Sequence, residues 1–301
     1  MKKLIILAFI GCSLFAKAQQ EPQYTLNQFN SNLQINPAYA GAHDDASISL
    51  RYRKQWVGYT GSPSTVCFNG ESKIIKQRLA LGLTVTGDWI GIQQSTTADL
   101  SIASQLRLGD KSTLSVGIKL GVEFLKSDFS KLTNVNLTDP LYNTSSTVFM
   151  PYAGFGFLFF TKKLYIGFAV PQVVSFENVS PESKIIKPHY FLYGGYRVVL
   201  SKDFELRPAL LGKYVAAAPF EADIALDAWF KGMVGLGVSY RTMDALSFMV
   251  KARFGNFYIS YAYDMTLSAM KSYNSGSHEI YLGFEFGKKS SLDRKQNNRY
   301  F

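Results

Sequence analysis

The sequence contains little cysteine and, after its first residues, no apolar run long enough for a membrane-spanning helix. Two of its 301 residues are cysteine. Cys12 lies in an N-terminal apolar stretch, so a chain cleaved behind that stretch keeps Cys67 alone and forms no internal disulfide. A spanning helix needs about 18 uncharged apolar residues in a row. If this protein sits in a membrane, it therefore crosses as β-strands.

Histidine is also scarce, and the motifs of hydrolases are missing. The three histidines, His43, His189 and His278, are far apart in the sequence. A barrel hydrolase would place a histidine beside a serine on one strand, and no Gly-x-Ser-x-Gly elbow lies near any of the three. A lipid hydrolase is an alternative whose activity would depend on His189 or His278. We predict no enzyme activity.

Metal and phosphate sites have little support in the sequence. A transition-metal site needs clustered histidine or cysteine. Asp44-Asp45, or Asp223 with Asp227, offer carboxylates for calcium, but a solvated turn and pairing with arginine explain them better. The glycines from Gly232 to Gly237 are not followed by a Lys-Ser/Thr step, so they do not form a phosphate loop. We predict neither a metal nor another cofactor.

The first eighteen residues have the three parts of a cleaved secretory signal. Two lysines precede an apolar run from Leu4 to Phe15, and the small-x-small sequence Ala16-Lys17-Ala18 closes it. A lipoprotein cleavage site at Cys12 is the alternative, but it would shorten the apolar core and leave the small-x-small sequence without a role. We predict a signal peptide over residues 1–18.

The chain is basic, but not in the pattern of a nucleic-acid-binding protein. It has 32 basic and 22 acidic residues and a net charge of +10, which becomes +7 when the signal with its three lysines is removed. The charges are dispersed except in residues 288–301, where five basic residues accompany Asp293. Dispersed charge does not favour nucleic-acid binding. We predict a basic periplasmic tail at this end.

The rest of the chain alternates apolar and polar residues over about fourteen segments of about ten residues, the strand length of transmembrane barrels. Ile48, Leu50 and Tyr52 share one parity, whereas the other carries Arg51 and Arg53. A barrel wall in lipid must be apolar on one parity and is free to be polar on the other. The predicted strands are 46–55, 64–74, 79–87, 96–108, 112–125, 147–160, 164–171, 189–200, 203–215, 221–230, 233–241, 245–254, 256–264 and 277–287.

Connections between these strands are tight at every second position and mostly longer at the others. Outer-membrane barrels have short periplasmic turns and longer external loops, whereas a soluble β-sandwich has no reason to keep its connections short at one end. We therefore predict an all-β fold, a transmembrane antiparallel β-barrel over residues 46–287, closed between its first and last strands and with both termini in the periplasm. The tight turns are Lys76-Gln77-Arg78, Gly109 to Ser112, Thr161-Lys162-Lys163, Ser201-Lys202-Asp203, Lys231-Gly232 and Gly255-Asn256.

The polar parity of the predicted strands places charged residues of both signs in the lumen. Such residues can pair across the lumen and close it, or they can border water in an open pore. The paired arrangement is favoured, and an open pore would make the protein a passive solute channel. The predicted lumen charges are Arg51, Arg53, Asp99, Arg107, Lys119, Glu123, Glu205, Arg207, Asp223, Asp227, Lys251, Arg253, Asp264, Glu279 and Glu285.

Two short motifs flank the first strand. Residues 19–45, which we predict to be a periplasmic segment, contain Asn36-Pro37-Ala38-Tyr39-Ala40-Gly41, where Asn-Pro starts a turn and glycine relieves it. Tyr52-Arg53-Lys54-Gln55-Trp56 ends the strand, and Gly61-Ser62-Pro63 turns the chain. An arginine beside aromatic residues at a strand end suits an interface anchor or a recognition surface. The candidate partner-binding residues are Asn36, Pro37, Tyr39, Gly41, Tyr52, Arg53, Gln55, Trp56 and Gly61.

Together these motifs resemble the PorP/SprF family of type IX secretion system outer-membrane proteins. The resemblance rests on the stretch from Gln28-Phe29 to Gly41, on Tyr52 to Trp56 and on Gly61-Ser62-Pro63, and it extends more loosely through the strand rhythm. It implies a barrel that works with type IX secretion components and, in gliding bacteria, assists secretion or surface attachment of a large adhesin through that adhesin's C-terminal domain. Partner specificity is expected in the external loops 126–147, 171–188 and 264–277.

Overall fold

A computed structural model describes residues 32–42, 46–75, 78–131, 145–175, 188–216 and 218–287. The predicted signal peptide, the basic tail, His43 and Asp44-Asp45 lie outside these residues, as do parts of two predicted external loops. Among the described residues, no helix is long and apolar enough to span a membrane.

The described chain consists almost entirely of β-strands. Fifteen paired segments form one sheet, and His189–Tyr196 and Val198–Val199 are two parts of a single wall strand, which leaves fourteen strands. Short 3-10 turns cover Pro37–Tyr39, Phe129–Lys131 and Ala269–Tyr273. The strands are β1 (Ser47–Lys54), β2 (Ser64–Ile75), β3 (Leu79–Ile90), β4 (Gln93–Arg107), β5 (Ser112–Asp128), β6 (Ser145–Thr161), β7 (Leu164–Ser175), β8 (His189–Tyr196 with Val198–Val199), β9 (Phe204–Val215), β10 (Glu221–Phe230), β11 (Val234–Arg241), β12 (Ala245–Phe254), β13 (Phe257–Thr266) and β14 (Ser277–Glu285).

The sheet closes on itself as an antiparallel barrel. Each strand pairs with the next one along the chain, and β1 pairs with both β2 and β14. Leu50, for example, lies opposite Phe68 on one side and Leu282 on the other. Closure leaves no unpaired strand edge in lipid, where an unpaired backbone group would cost several kcal/mol. The predicted all-β barrel, with its first strand joined to its last, is confirmed.

The alternation of side chains separates a lipid-facing surface from the lumen. On β1, Leu50 and Tyr52 are 44% and 45% exposed, whereas Arg51 and Arg53 are each 1% exposed. The outer surface also carries aromatic pairs near both ends of the barrel, the usual position of membrane-interface belts. These pairs are Phe204–Phe230 and Phe257–Phe284 at the end with the tight turns, and Phe124–Phe149 and Tyr190–Tyr214 at the opposite end.

Several strands run two or more residues farther than the sequence predicts, in each case at the end opposite the tight turns. The long connection expected between residues 87 and 96 is a tight turn at Gly91, whose φ is +57°. Gln93 pairs with Ile90 and with Ser127. Residues 93–97 are polar on both parities, so the alternation that marks a strand stops while the hydrogen-bond ladder continues. The predicted loops 126–147 and 171–188 likewise begin inside β5 and β7.

Candidate functional site

Residues 32–42 form a plug segment inside the barrel. Leu33, Ala38 and Tyr39 are fully buried there among inner-face residues of β3 to β9. The segment lies in the half of the barrel with the tight turns, since its partners Gln105 and Phe157 are close to the β4–β5 and β6–β7 turns. The sequence predicts this stretch as part of a periplasmic segment, whereas its described residues pack against the inner wall.

Asn36 fixes the plug segment at its centre. Its Oδ1 atom accepts a hydrogen bond from the backbone N–H of Ala38 at 2.8 Å and so caps the 3-10 turn that starts at Pro37. Its Nδ2 atom donates to the carbonyl of Phe157 at 2.9 Å and to the hydroxyl of Tyr193 at 3.1 Å. The Asn-Pro motif therefore shapes a turn and also ties that turn to β6 and β8.

Two glycines of the inner wall allow the plug segment to approach the backbone. A Cβ atom on Gly117 would lie 2.3 Å from the nitrogen of Ala38, and one on Gly156 would lie 2.1 Å from Oδ1 of Asn36. Neither distance leaves room for a methyl group. Glycine at these positions is therefore required by the shape of the plug segment.

The end of the plug segment is held by two polar side chains of the wall. The N–H of Gly41 donates to Oε2 of Glu71 at 2.9 Å, and Nε2 of Gln105 donates to the carbonyl of Gly41 at 2.6 Å. Gly41 has a φ of +66°, which favours glycine. Burial, together with the nearby charge of Glu71, holds the pKa of Tyr39 well above its ordinary value.

Gln34 connects the plug segment to the charged residues of the lumen. Its side-chain oxygen accepts from Nη1 of Arg51 at 3.0 Å, and its carbonyl accepts from Nζ of Lys119 at 2.7 Å. Lys119 also forms an ion pair with Asp99 at 3.2 Å. Arg51 directly precedes the second sequence motif, so this contact joins the plug segment to the strand that carries that motif.

A charged belt runs along the inner wall from β9 to β1. Arg53 pairs with Asp264 at 2.6 Å and with Glu279 at 3.3 Å, and Asp264 lies 3.5 Å from Arg241. Each ion pair joins strands that are adjacent or two apart, so the charges pair along the wall. The belt comprises Arg53, Lys213, Glu221, Asp223, Arg241, Asp264 and Glu279.

Arg241 is a central belt residue that the sequence reasoning misses. It lies 3.0 Å from Asp223 and 3.1 Å from Asp244, and it is 1% exposed. It is the last residue of β11 and a loop follows at once, so the alternating pattern gives little evidence that its side chain faces the lumen. The available signal is its parity, which it shares with the buried Ser239.

The other predicted lumen charges form local pairs. Lys251 and Asp227 are 2.5 Å apart, Arg253 and Glu285 are 2.7 Å apart, and Arg207 lies 3.2 Å from Glu205. Glu123 is half-buried and accepts a hydrogen bond from Ser95 at 2.6 Å. Arg107 does not form such a pair with any residue that the structure describes: it is exposed beside the β4–β5 turn and lies outside the belt.

The second sequence motif is divided among three environments at the end of β1. Tyr52 faces lipid and Arg53 faces the lumen. Trp56 has a φ of +45°, and its N–H donates to Oγ of Ser277 at 3.2 Å. The N–H of Gln55 donates to the carbonyl of Pro63, and the carbonyl of Gly61 accepts from Gly91, both at 2.9 Å. The motif thus shapes the rim opposite the tight turns.

Neither a histidine cluster nor a metal-binding group is present in the part of the chain that the structure describes. No group of three His, Cys, Asp or Glu side chains there is placed to hold a metal ion. His278 shares a hydrogen bond of 2.6 Å with the hydroxyl of Tyr261. His189 begins β8, and Cys67 is a free, buried thiol.

Comparisons with known proteins find a family model that matches most of this chain and several solved structures that are similar to it. The model of the family "Type IX secretion system membrane protein PorP/SprF" matches residues 16–284. Similar solved structures include the KdgM porin, at 10% identity over 80% of this chain and 99% of that chain, with a TM-score of 0.40. The P. putida toluene transporter TodX has 9% identity over 85% and 94% of the two chains, with a TM-score of 0.47. A Pseudomonas aeruginosa FadL homologue has 12% identity over 89% and 95%, with a TM-score of 0.46. No curated protein sequence matches this chain.

Proposed function

This chain belongs to the PorP/SprF family of type IX secretion system membrane proteins, and we propose that it assists the secretion or surface anchoring of a partner protein, such as a gliding adhesin, through that partner's C-terminal domain. The protein is an outer-membrane component of that system, and its family and barrel are not those of a known enzyme class. The family match across almost the whole barrel carries the proposal. The role is recognition without catalysis.

The barrel would hold a recognition surface at a fixed depth in the membrane. With the tight turns in the periplasm, both termini are periplasmic and the opposite rim faces outward. At that rim, Val57 donates to the carbonyl of Gly276 at 2.9 Å and accepts from Ser275 at 2.8 Å, so the β1–β2 and β13–β14 connections are joined. Tyr59 and Tyr273 are exposed on the joined connections. Exposed tyrosines on a rigid support suit protein recognition.

The plug segment disfavours the passive solute channel. A porin keeps an aqueous path through its lumen, whereas here residues 32–42 lie inside the barrel and pack against the inner wall. Conductance in planar bilayers distinguishes the two functions. We expect the purified protein to show no stable open-pore conductance, and sustained porin-like currents would support the channel instead.

Gene deletion with complementation tests the secretion role directly. We expect cells without this protein to leave one specific surface protein unsecreted or shed into the medium, and the wild-type gene to restore its display. Replacing Tyr59 and Tyr273 together by alanine is expected to reduce that display while the barrel still inserts. The matched control replaces the lipid-facing pair Tyr190 and Tyr214, whose rings lie 6.1 Å apart. Unchanged surface display of all type IX cargo in the deletion strain would contradict the proposal.

A further inference from the structure

A cleft opens at the tight-turn rim, beside the break in β8. It is a shallow depression between the β6–β7 turn and β9 and is partly open to solvent. The break falls at Arg197, next to the position where β9 carries Pro208, which has no backbone N–H to donate to β8. The N–H of Arg197 itself donates to the carbonyl of Lys163 at 2.7 Å.

The cleft is lined from both faces of the wall. Leu164, Tyr196 and Pro208 belong to the lipid-facing parity, whereas Arg207 and Asp227 belong to the inner parity. Tyr196 is 45% exposed on the outer surface. The cleft therefore joins the lipid-facing surface of the barrel to buried charged groups, which a continuous strand ladder would keep apart.

Arg207 is held in place with one donor unused. It is 9% exposed, its guanidinium carbon lies 4.8 Å from the centre of the Trp229 ring, and its Nη2 atom lies 3.2 Å from Glu205. Its Nε atom has no hydrogen-bond partner among the described residues. A buried donor without an acceptor is costly, so a ligand oxygen that met this atom after a small shift of the side chain would be stabilised.

Asp227 offers an acceptor on the neighbouring strand. It lies opposite Arg207 in the β9–β10 register. Its Oδ2 atom is 2.5 Å from Nζ of Lys251, and its Oδ1 atom has no hydrogen-bond partner among the described residues. An unused donor and an unused acceptor therefore lie on adjacent strands, buried directly beneath the cleft.

Cations outnumber carboxylates around the cleft. Lys162, Lys163, Arg197 and Arg207 line it together with Asp227. Glu205 pairs with both arginines. Four cations against two carboxylates leave a positive excess, which favours an anionic ligand. Arginine with flanking lysines is a common arrangement for phosphate recognition.

We propose that this cleft binds the phosphate headgroup of an anionic membrane lipid. Arg207 and the lysines of the β6–β7 turn contact the phosphate, and Asp227 accepts from a headgroup hydroxyl. The acyl chains lie along the outer surface beside Leu164 and Pro208. This site is independent of the secretion partner, so its failure would leave the proposed function untouched.

Lipid titration of the purified full-length protein tests the proposal. Native mass spectrometry in detergent would measure the apparent dissociation constant for dioleoyl-phosphatidylglycerol. We expect Arg207→Gln to weaken binding about tenfold, the size of one charge-assisted hydrogen bond. Lys162→Gln with Lys163→Gln changes only exposed turn residues and is expected to weaken binding without affecting folding. The matched control is Arg253→Gln, since Arg253 also pairs with a carboxylate and stacks on a tyrosine, at 5.5 Å, but does not line the cleft.

Two further ligands distinguish binding of a phospholipid from binding of acyl chains alone or of free phosphate. Dioleoylglycerol has the same chains without the phosphate, and we expect it to bind at least about tenfold more weakly. Excess inorganic phosphate is not expected to displace the phospholipid. Equal binding of dioleoylglycerol, full displacement by inorganic phosphate, or equal losses in the Arg207 and Arg253 variants would each overturn the lipid site.

Discussion

The two halves of the inner wall share the same alternating pattern, but one half contacts the plug segment and the other carries ion pairs. From β2 to β8 the inner face is mainly small or aromatic, with Ala80, Ala103 and Gly117 on it, and it receives the plug segment. From β9 through β14 to β1 it carries the charged belt. Lipid only requires that the outer parity be apolar. The residues of the inner parity can therefore differ between the halves: they fit the plug segment in one half and form ion pairs in the other.

The physical consequences of the two halves differ. Burial of a side chain such as Leu33 or Tyr39 stabilises the seated plug segment by about 1.5–3 kcal/mol. Buried ion pairs give little net stability, but removal of one partner leaves an uncompensated charge. We therefore expect changes in the charged belt to weaken the barrel. Changes in the inner-wall residues that contact the plug segment should instead release that segment and leave the barrel intact.

Loss of Arg53 is expected to have the largest effect on the barrel. The change Arg53→Met leaves Asp264 and Glu279 with fewer cationic partners, and the expected loss in unfolding free energy is about 3 kcal/mol. Tryptophan fluorescence during guanidinium unfolding in lipid vesicles would measure it. Adding Glu279→Met should recover part of the loss. Wild-type stability of the single variant would show that the belt has no energetic role.

A larger side chain where the inner wall contacts the plug segment should release that segment without unfolding the barrel. Gly117→Val places side-chain atoms where the backbone of Ala38 lies, at a cost of about 2 kcal/mol to the seated state. Limited proteolysis of residues 32–42 should then be at least about tenfold faster. Gly70→Val is the matched control, because a Cβ atom there has no neighbour closer than 3.8 Å. Equal proteolysis of the two variants would argue against close packing of the plug segment.

Truncation of Asn36 should loosen the plug segment less. Asn36→Ala removes the cap on the 3-10 turn and the donors to Phe157 and Tyr193, at an expected cost of about 1.5 kcal/mol. The same proteolysis assay should report a smaller increase than Gly117→Val. Asn69→Ala removes another buried lumen asparagine, one that belongs to β2, and it should leave the plug segment protected. If residues 32–42 were as well protected from proteolysis in Asn36→Ala as in the wild type, packing alone would account for the position of the plug segment.

Loss of Arg107 should have the smallest effect. Its side chain is exposed at the tight-turn rim and lies outside the belt. Arg107→Gln should change unfolding free energy by less than about 0.5 kcal/mol. A loss as large as that of Arg53→Met, in the same unfolding assay, would mean that the rim charges belong to the belt.

The barrel could be predicted because its signals are local. A period of two residues assigns Leu50 to lipid and Arg51 to the lumen, and tight turns mark one end of the strands. The plug segment could not be placed, since Asn36 contacts Phe157 and Tyr193, more than 100 positions away. Turn chemistry explains why Asn-Pro bends the chain, but the place where the bend fits is set by two distant wall glycines, Gly117 and Gly156.

Photocrosslinking in intact outer membranes tests most directly that the Asn36 turn lies inside the barrel. A photoreactive phenylalanine analogue replaces Tyr193, whose hydroxyl lies 3.1 Å from Asn36, or Tyr190, which faces lipid on the same strand. The probe at position 193 is expected to form an adduct with the peptide that contains residues 32–42, identified by mass spectrometry, whereas the probe at position 190 is not. Absence of that adduct at position 193, or equal adducts from both positions, would contradict an internal plug.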